Sequence, residues 1–392
     1  MKTRLAALLA VLLLATACGA ANDNTDEASA PSEPAATSTA TEGQDGEASS
    51  SEETVTLAAA AFAATGSAEA LVFDTYLDLV EEAAGGAVTF ERFYQESLCS
   101  GREMAECVRD GRADIGQTIG GYTPNLFPFA ELISLPFQSN NAEAIAMAFQ
   151  DLMGEYPEIE EGLADFGVVN AYHIGVEIGL IGGNEPLNGP ADLAGRTVRS
   201  SGAGIEAALR AAGAEPVGVT ASELYEGLQH GVLDVWLNLL SGAADYNLNE
   251  VTSHWYEPGL GVYVNNVALI NPDRLASLPP VVQDAFAQAT EMFVESGDAY
   301  SAYSAGMEDS CTRVLEAGNL EVWEQWDEAT VAEWREMTGD GPSDAWKNSV
   351  AGLTEDPDAM YDRWLELVET AADESGHVSL AIDCMNRFNA QG

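Results

Sequence analysis

The chain has 392 residues, 46% of them hydrophobic, which is enough for a large buried core and for two domains. Its 64 Asp and Glu residues against 15 Lys and Arg residues give a formal net charge of -49 at pH 7. Such a negative field repels nucleic acid and anionic lipid, so the composition argues against binding to a phosphate backbone. An acidic, lysine-poor surface is tolerated in a salt-rich environment, because salt screens the repulsion between like charges.

The N-terminus has the pattern of an export signal. Lys2 and Arg4 precede the apolar run at 5–14, which is too short to span a bilayer as a mature helix. The string LLLATAC, which ends at Cys18, resembles a bacterial lipobox. This resemblance implies cleavage before Cys18 and attachment of a lipid to its sulfur. An ordinary secretory signal with an incidental cysteine is the alternative. We therefore expect residues 1–18 to be a lipoprotein signal peptide.

The segment 19–53 contains no aromatic and no basic residue, and it is rich in Ser, Thr, Ala, Pro and acids. This composition cannot bury a core, and it predicts a disordered acidic linker. A lipid-bearing cysteine followed by a flexible tether predicts a protein that is exported and anchored to the outer face of the cell membrane.

Four cysteines follow Cys18, and an even number in an exported chain favours disulfides. Of the three possible pairings, we favour Cys99 with Cys107, which are close in sequence, and Cys311 with Cys384, which closes the C-terminal region. Four free buried thiols are the alternative. The chain has no CxxC pattern and its four histidines are scattered, so we expect no metal site and no cofactor.

The folded part begins with alternating strand and helix patterns. They predict a strand at 54–63, a helix at 68–86, a strand at 87–94, a helix at about 101–110 and a strand at 113–119. A further helix is expected at 142–156. The β-α-β-α-β order predicts an α/β domain with a largely parallel sheet.

A second series follows. It predicts a strand-like crossing at 168–183, a strand that ends near Arg199, a helix at 204–213, a strand at 214–220, a helix at 222–231 capped by Ser222, and a strand at 232–240. After about 265 the chain is mainly helical, with helices expected at 279–308, 310–318, 321–338 and 355–375. Two series predict two lobes with a cleft at the carboxyl ends of their strands.

Three segments resemble a known family. They are GREMAECVRDGRADIGQT (101–118), PADLAGRTVRSSGAGIEAALRAAGAEPVGVTASELYEGLQHGVLDVWLNLL (190–240) and NNVALINPDRLASLPPVVQDAFAQAT (265–290). They are similar to the extracytoplasmic solute-binding proteins of TRAP transporters, the DctP-like family. The second segment is the most specific, since it is similar to L-x-G-x-x-φ-R, A-x-G-A-x-P and E-φ-Y-x-A-L-Q-x-G-φ-x-D in that order. The resemblance covers roughly 54–310, and the C-terminal part matches only loosely.

The resemblance implies a two-lobe α/β fold of the periplasmic-binding-protein (Venus flytrap) type, with a central cleft, a hinge and a helical C-terminal region. We expect lobe I at 54–176 and 265–305, lobe II at 177–264, and a helical region at 306–392 that packs on both. The implied function is that of a monomeric receptor, not an enzyme. It would capture a small organic acid and deliver it to the permease subunits of a TRAP transporter.

The family resemblance also implies site residues. Arg199 falls on the arginine that pairs with the ligand carboxylate, and Asn238 falls on an asparagine near the same group. Arg196 falls on a variable position. Residues three apart on a strand point to opposite faces, so Arg196 and Arg199 cannot form one clamp from that strand, and we expect Arg196 to be solvated. A guanidinium offers a planar fork for a carboxylate, and backbone N–H groups of the following SSGAG turn would add donors. A surface arginine paired with a nearby acid is the alternative.

Two departures from the family pattern bear on the ligand. Many members have a second arginine about twenty residues before the first, whereas this chain has GVEIGLIGGNE there, with an acid at Glu177. Trp236 stands in VWLN, where the family usually has Q-E-N. Trp236 either stacks on a ligand or fills the core face of its strand. These changes put a plain C4-dicarboxylate in doubt and favour a monocarboxylate, a keto acid or a zwitterion.

Weaker candidates follow the strands of lobe I. Tyr122 and Gln117 are expected near the carboxyl end of the third strand, and Phe62, Thr65 and Ser67 near the rim beside the first. Core or surface positions without ligand contact are the alternative for each of these residues.

Two other functions remain as alternatives. An exported hydrolase would need a nucleophile motif such as G-x-S-x-G, and RSSGAG lacks the glycine before the serine. An acidic cell-surface interaction module would have no small ligand.

Overall fold

The computed structural model describes residues 54–295 and 297–391. The expected signal peptide, the expected linker and Cys18 lie outside the described residues. Within the described ranges, no helix combines the length and the hydrophobicity needed to cross a bilayer.

The strands of the described residues are short and distributed along most of the chain. They are β1 (Val55–Ala61), β2 (Val88–Phe93), β3 (Ile115–Ile119), β4 (Val169–Gly175), β5 (Leu180–Gly183), β6 (Thr197–Ser200), β7 (Glu215–Gly218), β8 (Trp236–Asn238), β9 (His254–Glu257), β10 (Asn265–Ile270) and β11 (Val322–Gln325).

The helices alternate with these strands at first and then dominate the C-terminal third. They are α1 (Ala68–Ala83), α2 (Met104–Arg109), α3 (Ala142–Glu155), α4 (Glu158–Phe166), α5 (Ala203–Ala211), α6 (Leu224–Gln229), α7 (Leu240–Asp245), α8 (Pro272–Ala276), α9 (Pro280–Glu295), α10 (Asp298–Ala317), α11 (Glu328–Thr338), α12 (Gly341–Val350), α13 (Pro357–Glu374) and α14 (Leu380–Asn389).

The strands form two separate sheets, as the two-lobe prediction requires. The first has the order β2-β1-β3-β10-β4, with β1 parallel to β2 and β3, and with β10 antiparallel to β3 and β4. The second has the order β11-β9-β5-β8, and the parallel pair β6-β7 joins it through a bridge between Val198 and Val235. In the second sheet, β5 pairs antiparallel with both of its neighbours and β9 pairs parallel with β11, so this sheet is mixed.

Four local expectations are wrong. The expected helix at 279–308 is divided into α9 and α10. The residues 310–318 continue α10, and the segment 321–338 begins with β11, which pairs with the edge strand β9. Ser222 does not cap the helix that follows it. Thr220 and Glu223 form a capping box instead, in which the Thr220 N–H donates to the Glu223 carboxylate at 2.8 Å.

Both expected disulfides are present in the structure. Cys99 is bonded to Cys107, with their Cα atoms 6.3 Å apart, and Cys311 is bonded to Cys384, with their Cα atoms 5.7 Å apart. The second bond joins α10 to α14, so it ties the last described helix to the middle of the structure.

Helix α10 packs on α1, which follows the first strand of the first sheet, and on α7, which follows β8 of the second. The close approach to α1 depends on Gly306. A Cβ atom at Gly306 would lie 2.4 Å from the Cα atom of Ala68. Only a residue without a side chain allows the two helices this separation.

Replacement of Gly306 by alanine is therefore expected to destabilise the fold by about 1–3 kcal/mol, because the added methyl overlaps backbone atoms that cannot rotate away. Urea denaturation measures the change. The matched control is Gly162→Ala in α4, where an added Cβ meets nothing within 4 Å. That change should be neutral or stabilise by up to about 1 kcal/mol. Equal effects of the two substitutions would contradict the packing of α10 on α1.

Candidate ligand-binding site

A cleft lies where the carboxyl ends of β1 and β3 of the first sheet face those of β6 and β8 of the second. Its lining comes from both sides: Phe62, Ala63, Ala64, Ser67, Glu69, Ile119, Arg199, Ala221, Asn238, Leu239, Gly242, Asp245, Tyr246 and Val264. The cavity measures only about 30 Å³, far below the roughly 300–1,000 Å³ of a typical small-ligand pocket. An organic ligand therefore enters only if the cleft opens.

Arg199 is the cation of this cleft, and it is 1% exposed. Its Nε donates to the Val219 carbonyl at 3.2 Å, and its Nη1 donates to the Leu237 carbonyl and to the Tyr263 hydroxyl, both at 2.8 Å. The Arg199 backbone N–H donates to the Val235 carbonyl at 3.0 Å, which fixes the strand end. These bonds set the orientation of the guanidinium.

The charge of Arg199 is not neutralised by this network. Neutral oxygen atoms accept its hydrogen bonds, none of the described acids forms an ion pair with it, and Nη2 makes no hydrogen bond with a described residue. A buried cation without a counter-ion is costly, so the arrangement favours an anion in the cavity. The alternative of a surface arginine paired with an acid does not describe this residue.

Asn238 lines the same cavity and is 5% exposed. Its Oδ1 accepts a hydrogen bond from the Leu239 N–H at 2.9 Å, whereas its buried Nδ2 has no partner among the described residues. Gly242 makes room for this amide, since a Cβ at Gly242 would lie 2.5 Å from Nδ2. The structure thus brings the two family-implied residues, Arg199 and Asn238, to one cavity as hydrogen-bond donors.

Two acids in the lining, Glu69 and Asp245, are not among the residues predicted from the sequence. Glu69 is 7% exposed, and its Oε1 accepts a hydrogen bond from the Ser241 hydroxyl at 2.7 Å. Burial, and then the charge of Asp245, raise the pKa of Glu69 to about 7. Asp245 forms an ion pair with Arg313 at 2.6 Å, and burial raises its pKa. One sequence feature could have identified Glu69. It lies in the first turn of α1, two residues after Ser67, which caps this helix at the end of the connection from β1.

Besides the Ser241–Glu69 bond, three further hydrogen bonds join the two sides of the cleft. The Ala221 N–H donates to the Tyr122 hydroxyl at 3.3 Å, and Arg102 Nη2 donates to the Gly218 carbonyl at 3.1 Å. The Ala203 N–H, at the start of α5, donates to Glu131 Oε2 at 3.2 Å. The turn before α5 was expected to donate its backbone N–H groups to a ligand, but Glu131 accepts the bond from Ala203.

Tyr122 and Gln117 lie beside the cavity without lining it. The Tyr122 ring packs edge-on against Phe62, with 6.1 Å between the ring centroids. Gln117 Nε2 donates to the Glu69 carbonyl at 2.7 Å and to the Tyr172 hydroxyl at 3.1 Å. Gln117 therefore holds the backbone of Glu69 from within the core, in place of the ligand contact that we expected.

Trp236 and Glu177 also lie away from the cavity. Trp236 packs against Trp255 with ring centroids 5.0 Å apart, and its Nε1 donates to Thr252 Oγ1, so it fills the core face of its strand. Glu177 is fully buried and accepts hydrogen bonds from the Ile178 N–H at 2.9 Å and from the Leu380 N–H, at the start of α14, at 3.1 Å. Of the two interpretations of Trp236, these contacts favour the core position, and Glu177 lies outside the residues that line the cavity.

The remaining predicted residues differ in their distance from the cavity. Phe62 and Ser67 line the cavity, whereas Thr65 is exposed. Arg196 precedes β6 rather than lying on it, is half-buried, and donates from Nε to the Asp192 carbonyl at 3.0 Å.

Glu131 makes the closed structure sensitive to pH. Burial raises its pKa to about 7, and its Oε1 has no partner among the described residues. The folded state therefore holds a proton that the unfolded state releases near pH 4.5. Glu131 thus stabilises the fold below that value and loses this contribution as the pH rises to about 7. We expect Glu131→Gln to reduce the fall in unfolding free energy between pH 5 and pH 8 by about 2–3 kcal/mol.

Chemical denaturation at the two pH values measures this change. The control is Asp151→Asn, which removes a charge from an exposed position on α3 and should leave the fall intact. An unchanged fall in Glu131→Gln would show that the carboxyl group is not buried in this way.

Comparisons with known proteins agree with this geometry. The family described as bacterial extracellular solute-binding protein, family 7 (DctP) matches residues 60–340. The C4-dicarboxylate-binding periplasmic protein DctP of Rhodobacter capsulatus is 26% identical over 267 residues, which are 66% of this chain and 77% of that protein. The 2,3-diketo-L-gulonate-binding periplasmic protein YiaO of Escherichia coli is 24% identical over 222 residues, which are 55% of this chain and 65% of that protein.

Solved structures of TRAP solute-binding proteins have the same two-lobe fold. The protein from Rhodoferax ferrireducens, in complex with benzoate, is 20% identical and gives a TM-score of 0.72, with 82% of this chain and 99% of that chain covered. The protein from Bordetella bronchiseptica, with bound mandelate, is 23% identical and gives a TM-score of 0.70, with 81% and 99% covered. Because the family match extends over most of the described residues, this chain belongs to the bacterial extracellular solute-binding proteins of family 7.

Proposed function

We propose that this protein is the extracytoplasmic receptor of a TRAP-type transporter. It binds a small organic acid in the cleft between its lobes and delivers the acid to the membrane permease. The observation that supports this most is the buried guanidinium of Arg199, which has no carboxylate partner among the described residues and faces a cavity beside the free amide of Asn238. A ligand carboxylate supplies the missing charge and accepts both donors.

The ligands of the relatives support an acid of this kind. One relative is named for binding C4-dicarboxylates, and two similar structures hold benzoate and mandelate. All of these ligands carry a carboxylate, and the last two carry only one. Arg199 is the only arginine among the residues that line the cavity, which suits one ligand carboxylate better than two.

Closure of the cleft converts binding into a signal for the permease. The ligand stabilises the closed state only by the contacts that it makes better there than in the open state. Arg199 and Asn238 come from the second sheet, whereas Phe62, Ser67 and Ile119 come from the first. A ligand that touches both groups therefore favours closure, and the closed pair of lobes forms the surface that the permease recognises. We propose lobe I at 54–176 and 265–305, lobe II at 177–264, and a helical region at 306–392 that packs on both.

The two alternative functions gain no support from the site. A surface interaction module has no use for a buried, uncompensated arginine in an interlobe cavity. A hydrolase needs a nucleophile beside a base, and the residues that line this cavity include no histidine and no cysteine.

A thermal-shift screen of organic acids tests the proposal and identifies a ligand, because a ligand that binds only the folded state raises the melting temperature. We expect small acids with one carboxylate to stabilise the protein more than C4-dicarboxylates do, and neutral amides of the same acids to have no effect. If no carboxylate raised the melting temperature, the receptor function would be wrong.

For an acid found in this way, Arg199→Ala is expected to abolish ligand-induced closure, since no other cation in the lining replaces the guanidinium. Arg199→Lys keeps the charge but loses the fork and should weaken binding on the order of tenfold or more. Calorimetry measures the affinity, and small-angle scattering measures closure.

Arg196→Ala is the matched control, because this nearby arginine lies outside the cavity lining and should leave both properties unchanged. Normal binding and closure by the Arg199 variants would contradict the site.

We also propose that the mature chain is anchored to the outer face of the membrane by a lipid on Cys18, with 19–53 as a tether. The lipobox-like sequence LLLATAC supports the anchor, and membership of an extracellular family supports export. In a bacterial host, the protein should enter the detergent phase on Triton X-114 partitioning, and Cys18→Ser should move it to the aqueous phase. The control is Ser49→Ala in the tether. Aqueous partitioning of the unaltered protein would show that no lipid is attached.

A further inference from the structure

The lining of the cavity also contains two acids. Arg199 and Asn238 present donors, whereas Glu69 and Asp245 line the same small cavity with carboxylates. Asp245 has Arg313 as its counter-ion at 2.6 Å. Glu69 has no cation within ion-pair distance among the described residues. Its side-chain contacts are hydroxyl groups, with Ser241 Oγ donating at 2.7 Å.

This carboxylate is held in place rather than left at the surface. Gln117 Nε2 binds the Glu69 carbonyl at 2.7 Å, Ser67 caps the helix on which Glu69 lies, and Ser241 reaches Glu69 from α7 of the other sheet. Glu69 is 7% exposed, so its ionised form is poorly solvated. A packed, hydrogen-bonded acid that faces a ligand cavity without a cation is suited to receive one.

The unpartnered Nδ2 of Asn238 shows independently that the cavity is built for a ligand. Asn238 is 5% exposed, and the space around its amide depends on a glycine at position 242. The donors of Arg199 and Asn238 favour an anionic group on the ligand, and the carboxylate of Glu69 favours a cationic group.

We propose that the ligand is a zwitterion, whose carboxylate binds Arg199 and Asn238 and whose cationic nitrogen binds Glu69. This inference rests on the proposed function, and it narrows the ligand from organic acids in general to acids with an ammonium or iminium group. The ion pair removes the cost of an ionised, buried Glu69 at neutral pH.

The groups around Glu69 give this proposal a pH signature. The acid Asp245 and the hydroxyls of Ser67, Ser241 and Tyr303 face it, and Tyr246 lies beside the two acids in the lining. Burial raises the pKa values of both tyrosines, so they stay neutral. Since the pKa of Glu69 is about 7, its negative charge develops between pH 6 and pH 8. The affinity for an acid with a cationic nitrogen should therefore increase as the pH rises through this range. The affinity for an analogue without the cationic nitrogen should not increase.

Matched pairs of small acids test the proposal by calorimetry on the mature chain. L-proline is compared with L-pyroglutamate, whose ring nitrogen is a neutral amide, and 4-aminobutanoate is compared with 4-hydroxybutanoate. Benzoate and succinate serve as acids without nitrogen. We expect the ammonium member of a pair to bind on the order of tenfold tighter or more at pH 8. The preference should shrink at pH 6.

Glu69→Gln should abolish this preference and its pH dependence, while the carboxylate contact with Arg199 is kept. The amide oxygen of glutamine still accepts the Ser241 hydrogen bond. Glu91→Gln, at an exposed position on β2, is the control for the loss of one charge. If Glu69→Gln does not fold, the pH dependence of the unaltered protein decides alone.

The outcomes separate this inference from the proposed function. If neutral members or benzoate bind as tightly as the ammonium acids, or if Glu69→Gln keeps the preference, the zwitterion is wrong and the receptor stands. If no acid of any kind binds, the proposed function fails and the zwitterion fails with it.

Discussion

The structure of the cleft depends on one buried cation. Arg199 is held by the carbonyls of Val219 and Leu237 and by the hydroxyl of Tyr263, and no acid among the described residues neutralises it. Acids outnumber basic residues by 64 to 15 in this chain, yet this arginine is buried without an acid partner among the described residues. Its isolation makes the cavity attractive to an anion that the overall field of the protein repels.

The arrangement of the two sheets places other groups around that cation. Strands β1, β3, β6 and β8 end at the cleft, and residues at these strand ends together with the segments after β1, β7 and β8 supply most of the lining. Besides the Ser241–Glu69 bond, the contacts that cross the cleft use backbone N–H and carbonyl groups at Ala203, Gly218 and Ala221, each facing one side chain of the first lobe. Such single contacts stabilise closure only slightly, which leaves a bound ligand in control of the equilibrium.

Some of the many acidic residues are buried, and there they accept hydrogen bonds from helix N-termini. Glu131 binds the first turn of α5, and Glu177 binds the start of α14, so two buried carboxylates satisfy helix N-termini. Burial raises the pKa of both to about 7. Glu69 is also buried and its pKa is also raised, but it lines the cleft. Its position, rather than its chemistry, distinguishes this proposed ligand contact from the two carboxylates that cap helices.

The amino-acid sequence by itself predicted the alternation of strands and helices, because hydrophobic periodicity is a local property. It favoured the two disulfide pairings by position along the chain, and the family resemblance selected Arg199 as the candidate for ligand binding. The same resemblance also pointed to Asn238. Only the tertiary structure decided which side of each strand meets the cleft. In the structure, Trp236 lies in the core and Glu177 caps a helix. Glu69 and Asp245, which were not predicted, line the cavity. The reason is physical: these roles depend on contacts between segments as distant as Glu69 and Ser241, and no spacing along one segment encodes such a contact.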